Sequence, residues 1–325
     1  MLFGDSPQPD LTGIARLAAE SDLLEAKRAV QYFEIETRSA LNRVRSGMPF
    51  TYSLNPYRGC EFGCRYCYAR YTHEFMELHE SDEFENRIYA KRNIGVLLAS
   101  ELRRVKPGES LAIGTATDPY QPAERRFHRT KDALQAIAAQ TGVSVSITTK
   151  SDLIRRDIEL LKIVSERNYL TVNMTITTLD VSLARELEPR APRPDLRLAA
   201  VRALADAGIE VGVFPNPIMP LITDQEPRLN ALAKAAREHG ATYFGGGPLF
   251  LMPSARRVFF PFVEKHYPLL LRRYRERYEN DAYLKGPYRD QLRERLARVR
   301  AANGLALTPL PYKPEPEPER QGRLF

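Results

Sequence analysis

The sequence predicts an α/β protein built as an open or partial barrel of parallel strands. Two patterns carry that expectation. From Ser110 onward, short β-branched runs alternate with longer amphipathic stretches, the pattern of βα units on a parallel sheet. Most strand-like runs also end in polar or glycine-rich segments, where barrels of this kind carry their working residues.

The elements follow in order. "SLAIGTA" (110–116) reads as a strand, and "RTKDALQAIAAQTG" as a helix with Gly142 at its C-terminal stop. "VSVSITT" alternates around β-branched residues and is a strand. "SDLIRRDIELLKIVSERN" is a helix that Ser151 or Asp152 can cap, with Leu153, Ile154, Ile158, Leu161 and Val164 as its apolar stripe. "YLTVNMTITT" is a strand, "RPDLRLAAVRALADAG" a helix stopping at Gly208, and "IEVGVFPN" a strand. "TDQEPRLNALAKAAREHG" is a helix stopping at Gly240, and "ATYFGGG" is the last strand. With a strand just before Cys60, six βα-type units result.

Composition narrows the class. A chain of 325 residues, 43% hydrophobic and 27% charged, is that of a globular protein. No apolar run approaches the ~18 residues of a membrane span. The acids and prolines of "MLFGDSPQPDLTGIARLAAESD" do not make a secretory signal, so a cytoplasmic location is expected. The formal charge of +7 is compatible with an anionic partner and equally with a merely solvated surface.

The chain's three cysteines, Cys60, Cys64 and Cys67, all lie in "NPYRGCEFGCRYCYAR". Three readings are open: buried structural thiols; a zinc site with His73 or His79 as fourth ligand; or an iron–sulfur cluster on three thiolates, leaving one iron free. Gly59 and Gly63 let a backbone wrap a bulky group. A zinc knuckle more often shows a second C-x2-C pair.

The spacing C-x3-C-x-aromatic-C, with Tyr66 before Cys67, resembles the signature of radical S-adenosylmethionine (radical SAM) enzymes. "PFTYSLNPYRGCEFGCRYCYARYTHEF" and "TDPYQPAE" are similar to the spore-photoproduct-lyase-like branch, also labelled DNA repair photolyase, over roughly residues 35–300. The resemblance implies a (βα)6 partial, TIM-like barrel. It implies a 4Fe–4S cluster on Cys60, Cys64 and Cys67, with S-adenosylmethionine chelated by the fourth iron. An electron cleaves the sulfonium, and the resulting 5′-deoxyadenosyl radical takes hydrogen from a substrate; flavodoxin or ferredoxin is the kind of donor implied. Tyr66 lies near adenine and Lys150 reaches the cofactor carboxylate on the same implication. The Gly-Gly-Glu stretch common after the second strand is absent. Thr115, Thr117 and Asp118 stand in its place, so they are cofactor candidates by position, as are Ser151, Asn173 and Asn216 at later strand ends. Gly245, Gly246 and Gly247 either admit the adenosine or simply form a loop. Spore photoproduct lyase is thought to use a further cysteine near the second strand as hydrogen donor. This chain has none there and offers Tyr120 instead. A DNA lesion is the substrate the branch suggests, with RNA or protein as alternatives. A zinc-stapled nucleic-acid-binding module on the three cysteines and His73 is the non-enzymatic reading.

The flanks complete the organisation. Residues 1–48 are expected to be a helical extension and 49–250 the barrel. Residues 251–308 are expected to be basic helices, and 309–325 a disordered tail. Residues 272–300 hold ten Lys or Arg against five acids with four tyrosines interleaved. That suits either nucleic-acid contact or an amphipathic helix pair burying Leu292, Leu296 and Val299. The terminal Gln321–Phe325, "QGRLF", resembles the peptide with which bacterial replication and repair proteins bind the sliding clamp.

Overall fold

The computed structural model describes residue 13 and residues 23–27, 30–44, 47–80 and 82–310. Eleven strands run along them: β1 (Leu23–Lys27), β2 (Val30–Ile35), β3 (Leu41–Arg43), β4 (Tyr52–Leu54), β5 (Tyr57–Arg58), β6 (Arg87–Lys91), β7 (Ser110–Ile113), β8 (Ser144–Thr149), β9 (Tyr169–Thr175), β10 (Glu210–Phe214) and β11 (Tyr243–Phe244). The larger sheet has the order β11-β10-β9-β8-β7-β4-β3. Its first six strands are mutually parallel, and β3 runs antiparallel on the edge. The six parallel strands are the six the sequence predicts, laid side by side in chain order as an open sheet.

Helices Ile94–Leu102, Arg129–Ala138, Ile158–Arg167, Pro194–Asp206 and Glu226–Glu238 connect successive strands. Their apolar faces and the strands share one core, from Leu54 and Ile113 through Val145 and Val172 to Val213 and Phe244. Inside the barrel, Gly212 makes room for the Tyr243 ring, which a Cβ there would meet at 2.1 Å.

Element ends moved for local reasons. The strand expected through residue 116 stops at Ile113. Gly114 has φ +87°, and a Cβ there would stand 2.3 Å from the Thr148 carbonyl oxygen, so the chain turns tightly across the end of β8. The helix expected from residue 151 begins as a 3-10 turn, Asp152–Asp157, and becomes α-helical at Ile158. Ser151 caps that turn, its hydroxyl accepting from Leu153 N at 3.3 Å.

The smaller sheet, in the order β1-β2-β6-β5, takes β1 and β2 from the segment expected to be a helical extension. In β2, Val30 and Tyr32 pack with Tyr57, Ile88 and Ala90, while Ile35 packs from the other face with Met76 and Tyr89. β2 is held between β1 and β6, antiparallel to the first and parallel to the second. Two strands of this sheet, β5 and β6, lie in the chain between β4 and β7, on either side of the loop that carries the cysteines.

Helices Pro253–His266, Leu271–Tyr278 and Pro287–Asn303 follow β11. Leu292, Leu296 and Val299 are buried in the main core. Tyr274 and Tyr278 are buried too, their hydroxyls donating to the carbonyl oxygens of Pro220 (2.6 Å) and Leu249 (3.0 Å). Tyr288 donates to Asp224 (2.5 Å). Three of the four interleaved tyrosines are therefore framework, and only Tyr283, 65% exposed, faces solvent. No helix among the described residues is long and apolar enough to cross a membrane. Gln321–Phe325 lies outside the described residues.

Candidate functional site

The cysteine loop leaves β4 and crosses the ends of the parallel strands, held by side chains far away in sequence. Gln121, fully buried, donates from Nε2 to Gly59 O (3.0 Å) and accepts from Glu61 N (3.0 Å). The Glu61 carboxylate accepts from Tyr32 Oη (2.8 Å) and Ala123 N (2.7 Å). Cys60 N donates to Phe84 O (2.9 Å) and Arg65 N to Leu187 O (2.9 Å). Arg70 closes the loop, donating to Cys64 O (3.1 Å) and pairing with Glu85 (2.5 Å). Gly59 has φ +76°, and a Cβ there would lie 2.5 Å from Arg87 O and 2.9 Å from Phe84 O, so the loop passes β6 only with glycine at this position.

The strand ends face this loop. After β4, Asn55 accepts from Ala116 N (2.8 Å) and donates to Thr115 Oγ1 (3.0 Å). After β7, Asp118 accepts from Thr149 Oγ1 (2.7 Å), Lys150 N (2.7 Å) and Tyr120 N (2.9 Å), tying β7 to β8. The Lys150 ammonium lies 5.8 Å from the centre of the Tyr66 ring. The Tyr66 hydroxyl donates to Glu188 and shares a 3.2 Å contact with Thr177 Oγ1, which itself donates to Glu188 (2.7 Å). Glu188 pairs with Arg197 at 2.5 Å, their side chains 0% and 1% exposed.

All three thiols are free. Burial pushes their pKa values up, that of Cys64 to about 12, and Lys150 pulls Cys64 partly back. The backbone N–H groups of Asp118 and Ala69 reach the thiols of Cys60 and Cys67. Burial disfavours the charged Lys150, and the Glu188 and Asp118 carboxylates work against it, holding the ammonium above its usual value. Left alone, then, the thiols stay protonated; a metal group held by them would supply the charge that deprotonates them, and its loading would release protons. Among the described residues no three His, Cys, Asp or Glu side chains converge on a point that would hold a single ion. His73 is committed elsewhere: its Nε2 lies 3.1 Å from Arg87 O, and its ring packs on Phe84 and Tyr89. Three thiols set apart along a tight loop, with N–H donors aimed at them, suit a group larger than one ion.

Not every residue singled out in the sequence arrives here. Tyr66, Asp118 and Lys150 do, and Thr115 lies beside them. Thr117 is buried, hydrogen-bonded to Tyr57 O (3.4 Å). Ser151 is spent as a helix cap. Asn173 is turned into the barrel, donating to Thr148 (3.2 Å) and accepting from Tyr243 (2.7 Å). Asn216 accepts from Gly247 N (2.8 Å), joining the loops after β10 and β11. Tyr120 is a correction: it is fully buried in the main core near Asp157 and Glu124, away from the thiols. The phenol at the end of β7 is Tyr68, from the cysteine loop, whose hydroxyl donates to Thr115 O. Its ring begins a run through Phe250 (5.8 Å) to Tyr283 (4.5 Å). Asn55, Gln121, Thr177, Glu188 and Arg197 were not anticipated. Only Asn55 and Gln121 carried a signal, being polar residues within the two motif stretches.

A family model described as the radical SAM superfamily matches residues 54–251. An uncharacterized protein of Mycobacterium tuberculosis is 37% identical over 318 residues, 94% of this chain and 91% of its own. One from Methanocaldococcus jannaschii is 29% identical over 217 residues, 67% of this chain and 76% of its own. Among solved structures, a mutant of spore photoproduct lyase matches with a TM-score of 0.66 at 17% identity, covering 94% of this chain and 87% of that one. Another mutant of that lyase, with bound AdoMet and dinucleoside spore photoproduct, gives 0.62 at 17% identity over the same shares. At that identity the likeness is one of fold.

Proposed function

This chain belongs to the radical SAM superfamily, and from that premise we propose a hydrogen-abstracting enzyme that acts on a lesion in nucleic acid. It is a radical SAM enzyme, of a family that uses a 4Fe–4S cluster and S-adenosylmethionine. When bound, these supply an electron and a 5′-deoxyadenosyl radical. Cys60, Cys64 and Cys67 hold the cluster in this reading. Tyr66, braced by Glu188 and Thr177, offers a flat face to the adenosine, and the Lys150 ammonium neutralises the methionine carboxylate. Asp118 keeps the ends of β7 and β8 together and presents its backbone N–H to Cys60. Tyr68, whose phenol burial keeps protonated, presents an O–H at the end of β7 that could return a hydrogen. The run Tyr68–Phe250–Tyr283 gives a planar base a surface to stack on.

The observation that carries the reading is the buried loop of three free thiols facing the strand ends, with Lys150 and Tyr66 beside it. The nucleic-acid part draws support from the fold shared with a lyase solved with a dinucleoside photoproduct and from the net charge of +7. Anaerobic purification with iron and sulfide reconstitution tests the first part. Visible cluster absorption and reductant-dependent 5′-deoxyadenosine release are expected, and Cys64→Ala should abolish both. A colourless protein carrying zinc would sink the radical reading. Ultraviolet-damaged DNA should raise 5′-deoxyadenosine release above undamaged DNA; stimulation by RNA or a protein instead would move the substrate class.

A further inference from the structure

We propose that Arg58 and Lys91, together on one face of the smaller sheet, form a binding site for a phosphate group. β5 and β6 pair antiparallel with Arg58 opposite Tyr89, and Lys91 lies two residues further along β6. Both side chains therefore leave the same face of the sheet. Ile35, Met76 and Tyr89 are buried on that face, with Phe33 and Leu78 packed alongside.

Lys91 is 5% exposed, and Arg58 has its Nε buried without a hydrogen-bond partner. The neighbouring acids are already engaged: Glu85 with Arg70 (2.5 Å), Glu83 with Arg87 (3.6 Å), Glu36 with Arg92 (2.6 Å) and Glu34 with Arg129 (2.9 Å). His73, which covers this face, adds no negative charge. Burial lowers its pKa to about 4, and its Nε2–H is given to Arg87 O. What faces Lys91 is thus Arg58, with Tyr89, neutral His73 and Arg87 around them. Burial, and Arg58 after it, lower the Lys91 pKa to about 7.

Two adjacent cations in an apolar setting, with guanidinium and ammonium donors to fill, are costly. A tetrahedral oxyanion meets both demands: the Arg fork takes two of its oxygens and the Lys ammonium a third. Arg58 is only half-buried, so the anion can enter from solvent. Arg58 also stands two residues before Cys60, so a bound phosphate braces the strand that launches the cysteine loop. The site does not depend on the substrate proposed above. A phosphate of a nucleic-acid backbone and a small phosphate compound share the chemistry.

The test is thermal melting of the full chain in inorganic phosphate against chloride at equal ionic strength. The wild type should melt higher in phosphate, Lys91→Met should lose that shift, and Lys91→Arg should keep it. Equal melting of the wild type in the two salts, or an undiminished shift in Lys91→Met, overturns the site. Amine acylation read by mass spectrometry needs no variant: phosphate should protect Lys91 severalfold, and unchanged labelling overturns the site as well. A labelled single-stranded oligonucleotide separates the sources. Displacement by phosphate, with weaker binding to Lys91→Met, assigns a backbone phosphate. A phosphate shift that survives saturating oligonucleotide assigns a small compound.

Discussion

Two buried charged groups flank the cysteine loop, and they are built on opposite principles. Beneath Tyr66, Glu188 and Arg197 are almost wholly buried and neutralise each other at 2.5 Å. Behind Cys60, Arg58 and Lys91 are like charges on one sheet face, beside buried Ile35, Met76 and Tyr89. The first arrangement is complete without a ligand and fixes geometry: it sets the Tyr66 hydroxyl, Thr177 and the start of the loop after β9. The second is complete only with an anion. A buried pair therefore reads as scaffold, and a buried excess of one sign reads as a binding site.

The change expected to hit hardest is Glu188→Gln. It leaves the Arg197 guanidinium buried without its counter-charge, a loss of about 3–5 kcal/mol for such pairs. Denaturant unfolding measures it, and a cost near zero would break the scaffold half of the comparison. Adding Arg197→Met in the same chain should recover part of that loss, since no lone charge remains. Next comes Gln121→Ala, which strips two hydrogen bonds from the loop and leaves Glu61 N and Gly59 O unpaired. About 1–3 kcal/mol is expected, with faster iron loss from the reconstituted protein.

The sharpest effect concerns Lys91, and it is read from the pH profile. Its pKa is about 7 in the fold against about 10.4 in the unfolded chain. Below that folded value both states are protonated and the native state bears the full cost of the buried charge. As pH rises through it, the native state sheds a proton the unfolded state still holds, so stability climbs until the unfolded lysine titrates. Lys91→Met should melt at or above the wild type near neutrality and lose that climb. It should keep the separate rise due to His73, whose folded value of about 4 lies below an unfolded value of about 6.5. Bound phosphate favours the charged amine and should flatten the climb in the wild type. A wild-type profile identical to that of Lys91→Met would remove Lys91 from the list of perturbed groups.

Much of the frame was legible. β8 alternates Val145, Ile147 and Thr149 inward, and the glycine-stopped helices return the chain to the sheet after each strand, so periodicity alone located five of the six parallel strands. The smaller sheet was not legible, because β2 pairs with β6, a strand more than fifty residues further on. Tyr120 and Tyr68 show the same limit within the site. Both are tyrosines beside a motif, but only the fold decides that Tyr120 points into the core and Tyr68 to the strand end.

By itself the sequence determined the thiol spacing, the strand–helix rhythm and hence the end of the barrel that carries the chemistry, because each is written in residues a few positions apart. Which charges are neutralised was decided by tertiary structure alone. Tyr66 meets Glu188 across 122 positions and Gln121 meets Gly59 across 62, and Arg58 meets Lys91 because two short strands pair. Such partners are set by how layers stack and in what register, and no local pattern encodes that.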